Sequence, residues 1–439
     1  MKRLFATLVT AICGAALMSM YLVPTAEAAP YTPKNGVVFN NPAKSRAQER
    51  RIQTTLDNAV SATPGGEIIS IVMYLFNDNS MLNRLISAHK RGVRVQVIVD
   101  DGGNSAQVKK LRKALAVKTK YNNYSFVKMC KRGCMSNYPY STVHGKVYAF
   151  SKVGTTRNVS IIASANPHGV NIYNSWNNSH TIANNAVVYT AMRKYFLDML
   201  KDNVNHSYGN QFKSPGTDRY GNLNSGKYQI SFYPRRPARI AYLDVLNKVS
   251  CRTASNMGSK GRTVVRMGMW GFTNPRMDVA KRLWALHNAG CKVDVTLNRG
   301  RASRTIMRQL VKKSKKYGQM RLEDAWRDKN RNDYGELYIH HKALIVNGRV
   351  YGKNQRVVWT GSQNLTSNGS LYNDDMILRI VDSGTYFAYS KNFSYIQAHY
   401  AKRLRKTPPP IVLKSKRNDA RVLTPEQNVE RQAELGEGG

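Results

Sequence analysis

An internal duplication constrains the fold of this chain more than any other feature of its 439 residues. Residues 66–101 show the pattern strand, helix, strand, and residues 262–298 repeat it, with Gly92 and Gly290 at the ends of the two helices. Strands that alternate with helices favour sheets covered by helices. The sequence therefore predicts an α/β fold made of two similar βαβ halves that pack as one two-lobed unit.

The duplication also relates two short motifs of reactive residues, one in each half. The first half contains His144-Gly145-Lys146 and the second contains His340-His341-Lys342, so the first histidines of the two motifs are 196 residues apart. Each motif is followed, about twenty residues later, by a Ser-x-Asn tripeptide, namely Ser164-Ala165-Asn166 and Ser362-Gln363-Asn364. One motif repeated inside two copies of one structural unit predicts a single site built from both halves.

The two histidine motifs lie in stretches with high β propensity, 143–150 and 338–346, which are predicted to be strands. Residues i and i+2 of a strand face the same side, so each histidine is expected to project beside the lysine two positions later. His341 is then expected to point to the opposite face. This makes His340, and not His341, the functional candidate of the second motif.

The motifs resemble the signature of the phospholipase D superfamily, a duplicated H-x-K-x4-D followed by G-S-x-N. The segments Val38–Pro42 and Ala88–Val93 also resemble family members, and the resemblance runs from about residue 36 to residue 400. Three positions depart from the signature: Ser151 and Asn347 replace the aspartates, and Ala163 replaces the first glycine. The resemblance implies a duplicated phospholipase D-type fold in which each half is a mixed sheet flanked by helices.

The resemblance also implies a chemistry, the cleavage of phosphodiesters. One histidine attacks phosphorus and becomes a phosphohistidine, while the other protonates the leaving alcohol. The lysines neutralise the nonbridging oxygens, the asparagines donate hydrogen bonds, and the serines can add hydroxyl donors. The expected catalytic residues are His144, Lys146, Asn166, His340, Lys342 and Asn364, supported by Ser164 and Ser362. No metal and no cofactor is expected.

A single acidic residue accompanies the motifs. Asn373-x-Asp375 keeps an acid where the family carries one, while the expected first-half equivalent, Asn177-x-Ser179, has none. Asp375 is therefore expected to orient one of the histidines. By resemblance to secreted phospholipases D, His144 is assigned as the nucleophile and His340 as the general acid and base. The sequence by itself does not choose between the two orders.

Residues 1–28 resemble a secretory signal, because Lys2 and Arg3 precede the apolar run 4–23 and Ala26-Glu27-Ala28 matches a cleavage site. The alternative is a membrane anchor, and export as a secreted protein is the prediction. Four cysteines remain in the mature chain: Cys130, Cys134, Cys251 and Cys291. Of the three possible pairings, Cys130–Cys134 with Cys251–Cys291 is favoured because each disulfide then stays within one half. A metal site is the alternative.

The net charge of +42, or +41 without Lys2, Arg3 and Glu27, predicts attraction to polyanions. Three functions are compatible with these features. The leading hypothesis is a secreted phospholipase D that hydrolyses or exchanges phospholipid head groups. The second is a metal-independent secreted nuclease of the same superfamily, which binds nucleic acid through a basic face. The third is a non-catalytic polyanion-binding protein. A monomer suffices in each case, because both halves of the site are in one chain.

The predicted domain boundaries follow from these patterns. Residues 29–210 form the first half and residues 228–405 the second, and the Gly-, Asn- and Ser-rich segment 208–227 between them is predicted to be a linker or long loop. Residues 406–439, which have many charges and few aromatic residues, are predicted to be a flexible tail.

Overall fold

The computed structural model describes residues 31–118, 124–237, 241–327 and 337–409. The predicted signal segment 1–28 and most of the predicted tail lie outside these ranges. Within them, no helix is both long enough and apolar enough to cross a membrane.

The secondary structure alternates strands and helices in both halves. The strands are β1 Gly36–Phe39, β2 Ile68–Met73, β3 Arg94–Asp100, β4 Phe126–Cys130, β5 Val147–Val153, β6 Thr156–Ala163, β7 Ser175–Trp176, β8 Asn178–Ile182, β9 Asn222–Ser225, β10 Tyr228–Phe232, β11 Val249–Ser250, β12 Val264–Met269, β13 Lys292–Leu297, β14 Lys313–Ser314, β15 Gly318–Gln319, β16 Arg321–Asp324, β17 Trp326–Arg327, β18 Leu337–Ile339, β19 Lys342–Val350, β20 Lys353–Gly361, β21 Met376–Val381 and β22 Lys402–Arg403. The helices are α1 Arg46–Glu49, α2 Arg51–Ser61, α3 Asn79–Lys90, α4 Ala106–Leu115, α5 Gly169–Tyr173, α6 Ala186–Leu200, α7 Tyr208–Gln211, α8 Ala241–Asn247, α9 Met277–Asn288, α10 Arg304–Leu310, α11 Ser367–Leu371 and α12 Ser383–His399.

Two mixed sheets with one topology confirm the predicted duplication. The first has the order β1-β8-β6-β5-β2-β3-β4, and the second contains the matching order β10-β21-β20-β19-β12-β13-β16. β2 pairs parallel with β3 and antiparallel with β5, and β12 makes the same two kinds of pairing with β13 and β19. The second sheet is extended by β9 beside β10 and β22 beside β16.

The alternation of side chains along the strands divides the apolar core into layers. On β2, Ile71 and Met73 face an outer cluster that includes residues of α2, α3 and α4, while Val72 faces the second half. On β19, Leu344 faces the outer cluster of the second half and Ile345 faces the first half. The central cluster also contains buried residues of α6 and α12, so both sheets and these two helices bury one shared core.

Local signals in the sequence explain where the helices begin and end. Gly92 and Gly290 adopt positive φ angles of 93° and 99° after α3 and α9, a conformation that glycine adopts at low cost. Asn185 caps α6 by accepting from the Val188 amide, and Asp382 caps α12 by accepting from the Thr385 amide. Since the caps occupy equivalent positions, α6 and α12 can be aligned residue by residue.

Two predictions about local structure are wrong. The strands predicted over 143–150 and 338–346 are interrupted at the histidines: β5 begins only at Val147, and a gap containing His340 separates β18 from β19. The backbone at these positions bonds to the other half instead of to its own sheet. The predicted linker 208–227 is not a simple loop either. It contains α7 and β9, and its Tyr208 and Phe212 are buried in the central core.

Candidate active site

His144 is oriented by a carboxylate from the second half of the chain. Its Nδ1 lies 3.0 Å from Oδ2 of Asp375, and both side chains are buried. The hydroxyl of Ser362 donates to the other oxygen of Asp375. The carboxylate therefore accepts from both sides, which fixes the orientation of the histidine ring.

His340 is oriented in the same way, but by an amide from the first half. Its Nδ1 lies 2.7 Å from Oδ1 of Asn177, which also accepts a 2.9 Å hydrogen bond from the Ser164 hydroxyl. The amide nitrogen of Asn177 donates to the carbonyl oxygens of Asn171 at 3.0 Å and Ser175 at 3.2 Å, so its oxygen must face the histidine. An amide oxygen only accepts, so Nδ1 of His340 carries the proton and Nε2 carries the lone pair.

The geometry corrects two sequence-based expectations. The counterpart of Asp375 is Asn177 and not Ser179, because Asn177 and Asp375 each bond a serine of their own half and a histidine of the other half. The sequence contained the signal, since Ser164 and Ser362 are 198 residues apart, as are Asn177 and Asp375. The two serine hydroxyls orient these side chains and are already engaged, so they are not the substrate donors that were expected.

The two lysines lie beside their histidines, each against an aromatic ring. Lys146 Nζ donates to the His144 carbonyl oxygen at 2.6 Å and lies 5.5 Å from the centre of the Tyr74 ring. Lys342 Nζ is 2.8 Å from Nε2 of His340 and lies 5.3 Å from the centre of the Trp270 ring. Both lysines are fully buried, which makes them strong sites for an anionic group.

The aromatic residues beside the lysines were not predicted from the sequence. Tyr74 follows β2, Trp270 follows β12, and the two are 196 residues apart, as the histidines are. The ring centres lie 5.7 Å from His144 and 5.4 Å from His340, respectively. This spacing was the signal by which they could have been found.

The electrostatic environment of His340 favours its neutral form. Burial lowers the pKa of His340 well below its usual value of 6.5, and the charges of Lys342, Lys146 and His144 lower it further. These charges come from both motifs, so residues of the first motif lie close enough to His340 to affect its protonation. The motifs are therefore parts of one site.

The two asparagines of the Ser-x-Asn tripeptides differ in their contacts. Asn166 is held by Asn171, whose Oδ1 accepts from both the backbone and the side-chain amide of Asn166 at 2.9 and 3.0 Å. In the second half, Oδ1 of Asn364 is buried and finds no hydrogen-bond partner within the described residues. Asn364 is thus less constrained by the protein than Asn166.

The two halves also exchange backbone hydrogen bonds around the histidines. The amides of His144 and Gly145 donate to the Asp374 carbonyl oxygen at 3.0 and 2.7 Å, and the amide of His340 donates to the Trp176 carbonyl oxygen at 3.0 Å. Asp374 and Trp176 occupy equivalent positions, each one residue before the side chain that orients the opposite histidine. Each histidine is thus fixed by two consecutive residues of the other half.

A disulfide loop supports the His144 side of this exchange. The structure contains the favoured pairing, Cys130–Cys134 and Cys251–Cys291. The carboxylate of Asp374 accepts from the backbone amides of Cys134 at 2.5 Å and Met135 at 3.3 Å. Burial raises the pKa of Asp374 well above its usual value, and raises that of Asp100, which accepts from the Val143 amide, to about 7. The loop, two buried carboxyl groups and His144 therefore form one connected unit.

Other residues singled out in the sequence lie away from this centre. His341 faces the central core, with Nδ1 2.8 Å from the Asn178 amide and Nε2 2.9 Å from Oδ1 of Asn392, as expected from its opposite direction. Ser151 accepts from the Ile68 amide at 2.7 Å, and Asn347 accepts from the Gly258 amide at 3.1 Å. The residues that replace the motif aspartates therefore support the backbone elsewhere: Ser151 binds the start of β2 and Asn347 binds the loop between β11 and β12.

Comparison with known proteins identifies the fold. A family model described as "Cardiolipin synthase, PLD-like domain" matches residues 56–200 and 259–397. The phosphatidylserine synthase of Haemophilus influenzae Rd KW20 is similar in structure, with a TM-score of 0.57 and 11% identity over 91% of this chain and 93% of that one. The polyphosphate kinase of Porphyromonas gingivalis has a TM-score of 0.55 and 12% identity over 92% of this chain. The chain spans 53% of that kinase. No curated protein sequence matches significantly.

Proposed function

The chain belongs to the phospholipase D superfamily, and from this premise we propose that it cleaves or transfers phosphodiesters through a phosphohistidine intermediate. One observation carries the proposal: each histidine is oriented through Nδ1 by a side chain of the opposite half, with a buried lysine beside it. This arrangement provides two imidazole groups, a nucleophile and an acid, next to concentrated positive charge.

The different partners of the histidines support a specific order of roles. A nucleophile needs a free lone pair, and His340 is held neutral with its lone pair on Nε2. An acid and base gains charge when it takes a proton, and Asp375 beside His144 can stabilise that imidazolium. We therefore assign His340 as the nucleophile and His144 as the acid and base, the reverse of the order that the resemblance implies.

In this order the reaction has two steps. When a phosphodiester binds, its nonbridging oxygens attract the ammonium groups of Lys146 and Lys342, and Lys342 releases Nε2 of His340. Nε2 then forms a bond to phosphorus while the bond to the leaving oxygen breaks, and His144 gives that oxygen its Nε2 proton. In the second step His144 takes a proton from water or an alcohol, whose oxygen attacks phosphorus and breaks the bond to His340.

For the substrate we propose a phospholipid outside the cytoplasm. The matching family model is named after cardiolipin synthase, a lipid enzyme, and residues 1–28 resemble a signal for export. Lipid head groups on an external membrane surface are phosphodiesters that an exported enzyme can reach.

A nucleic-acid substrate is the second candidate, and two observations favour it. The chain carries a net charge of +42, which suits a polyanion better than a single head group. The large apolar side chains exposed in the described residues are mostly tyrosines, such as Tyr124, Tyr138 and Tyr140. Such residues stack on bases more readily than they insert into hydrocarbon.

One assay tests the reaction and compares the two substrates. Purified protein is incubated with phosphatidylcholine vesicles and, separately, with plasmid DNA, both with a metal chelator present. We expect choline release, and DNA nicking would select the second candidate. Turnover of neither substrate would leave the third function, a binding protein without catalysis.

Replacement of each histidine tests the mechanism. His144→Asn and His340→Asn should each reduce turnover by a factor of about 10³ or more while folding is retained. In wild-type protein quenched with acid or alkali, mass spectrometry should find the phosphoryl group on His340. A phosphoryl group on His144 would restore the order implied by the resemblance, and near-normal activity of either variant would exclude the paired-histidine mechanism.

A further inference from the structure

A groove crosses the boundary between the two halves, away from the catalytic histidines. It has a volume of about 420 Å³ and lies between β1, the start of α2 and the outer side of α12. Phe39, Lys44 and Tyr395 are among the residues that line it, and the ammonium group of Lys44 lies 5.7 Å from the centre of the Tyr395 ring. The Tyr395 ring also contacts the rings of His399 and Tyr400, with centroids 4.8 and 5.8 Å away. The groove is therefore lined by residues from both halves.

The internal duplication provides a second copy of this groove for comparison. Phe39 pairs with the first residue of β8, and Phe232 pairs with the first residue of β21, so the two phenylalanines are equivalent. From the aligned caps of α6 and α12, Lys194 corresponds to Lys391 and Asp198 to Tyr395. The counterpart of the groove therefore lies beside β10 and α6.

In the second copy, aromatic side chains of the same protein fill the space. The ring of Phe212 packs on Phe232 with centroids 4.3 Å apart, and Lys194 Nζ lies 5.8 Å from the Phe212 ring. The hydroxyl of Tyr208 donates to Asp198 at 2.9 Å. The fold can thus receive planar groups at this position. The Phe39 ring contacts Tyr389 and His341 edge-on at 4.9 and 5.7 Å, and the described residues leave the groove beside it open. Residues 410–439 include no aromatic residue that could fill it.

The polar residues of the open groove define the charge of its ligand. Its cationic residues are Lys44, Arg51 and Lys391, and no carboxylate lines it. Asn41, Gln48 and Asn392 add amide groups. In the filled copy, by contrast, the position of Tyr395 is taken by a carboxylate, Asp198, which binds Lys194, Lys201 and the hydroxyl of Tyr208. The open groove therefore suits a ligand that has a planar group and negative charge.

We propose that this groove binds a nucleotide unit of a single-stranded nucleic acid. The base stacks against the rings of Phe39 and Tyr395, and the adjoining phosphates lie near the three cations. Single-stranded chains present the required combination, because their bases are unpaired and each is joined to a phosphate. Binding in this groove is separate from the catalytic reaction, because none of the candidate catalytic residues lines the groove.

Fluorescence anisotropy with a labelled oligodeoxythymidylate tests the proposal, with every protein in the His340→Asn background so that the probe is not cleaved. Tyr395→Ala should weaken binding roughly tenfold through loss of base stacking. The double variant Lys44→Glu/Lys391→Glu should also reduce the slope of log affinity against log salt by roughly one to two units, because two phosphate contacts are lost. The matched control is Lys109→Glu/Lys110→Glu, an equal charge change at exposed positions of α4.

Three results would overturn the proposal. The control double variant could weaken binding as much as the groove variant, which would mean diffuse attraction to a basic protein. Tyr395→Ala could leave affinity unchanged, or the groove variants could lose binding to anionic vesicles alone. Turnover of a small chromogenic phosphodiester by the groove variants, with His340 intact, should stay at the wild-type rate. If wild-type protein lacks that turnover, the proposed function fails while the binding result still stands.

Discussion

The two halves of the candidate active site have the same backbone arrangement but differ in the chemistry of one side chain. In each half, a serine hydroxyl holds the side chain that orients the opposite histidine, and the preceding residue accepts from the backbone amide of that histidine. The orienting side chain is a carboxylate at Asp375 and an amide at Asn177. A duplicated fold can therefore keep the geometry of a site in both copies while the charge of the group beside each histidine differs.

The neighbours of the two orienting side chains explain why they are not interchangeable. The amide nitrogen of Asn177 donates to two backbone carbonyl oxygens, those of Asn171 and Ser175. A carboxylate in place of the Asn177 amide would bring an oxygen acceptor against these two carbonyl oxygens, which would then lack a donor. The oxygens of Asp375 face a hydroxyl donor and the ring of His144 instead. The chemical difference between the halves is therefore enforced by the surrounding backbone.

Among the variants that test this difference between the halves, removal of the Asp375 carboxylate is expected to reduce activity most. Asp375→Asn keeps the size of the side chain but loses the charge that stabilises an imidazolium at His144. Turnover should fall by about 10²- to 10⁴-fold, with a smaller change in KM. Steady-state kinetics measures the effect, and circular dichroism checks the fold. A loss of less than about threefold would mean that His144 does not depend on its carboxylate.

Addition of a carboxylate to the other half should change the pH dependence of activity. Asn177→Asp places negative charge beside His340 and opposes the burial and lysine charges that lower its pKa. A nucleophile must be neutral, so the acidic limb of the kcat/KM profile should move to higher pH. If His340 were instead the acid, the alkaline limb would move. Thermal denaturation should also show a loss of about 1–3 kcal/mol, because the two carbonyl oxygens lose their donor.

Removal of each disulfide should change activity and stability to different extents. The Cys130–Cys134 loop bonds Asp374, which fixes the backbone of His144, whereas Cys251–Cys291 lies in the second half, where Cys291 belongs to the outer core. Replacing the first pair with serines should lower kcat roughly tenfold and destabilise the protein by about 2 kcal/mol. Replacing the second pair should leave kcat within about twofold but cost about 4 kcal/mol, because it closes a longer loop of 40 residues.

Equal losses of kcat in both serine variants would contradict a specific role for the first disulfide. Each variant is compared with wild-type protein at a temperature well below its own melting point, so that unfolding does not contribute. The Asp374→Asn variant alters the contact between the Cys130–Cys134 loop and residue 374 without removing a disulfide.

The sequence predicted the duplicated α/β fold and brought together the histidines, lysines and asparagines, because repeated spacing reports repeated structure. It did not predict that the strands break at His340, since β propensity describes a local preference and the break is caused by bonds to the other half. The misaligned counterpart of Asp375, which the sequence placed at Ser179, has a similar cause. Two extra residues between the motifs of the second half shift the spacing from 196 to 198, and only the structure shows which atoms meet.

The smallest effect is expected where the aspartates of the family signature are replaced. Restoring them by Ser151→Asp and Asn347→Asp should leave kcat/KM within about twofold. Ser151 binds the start of β2, Asn347 binds the loop between β11 and β12, and neither bond reaches a candidate catalytic side chain. The free energy of unfolding should change more in Ser151→Asp than in Asn347→Asp. The Ser151 hydroxyl donates to Glu67 at 2.6 Å, so Ser151→Asp opposes two carboxylates and should cost about 1 kcal/mol. Asn347→Asp keeps the acceptor for the Gly258 amide and should cost less. Chemical denaturation measures both, and a rise in activity would show that the missing aspartates had limited catalysis.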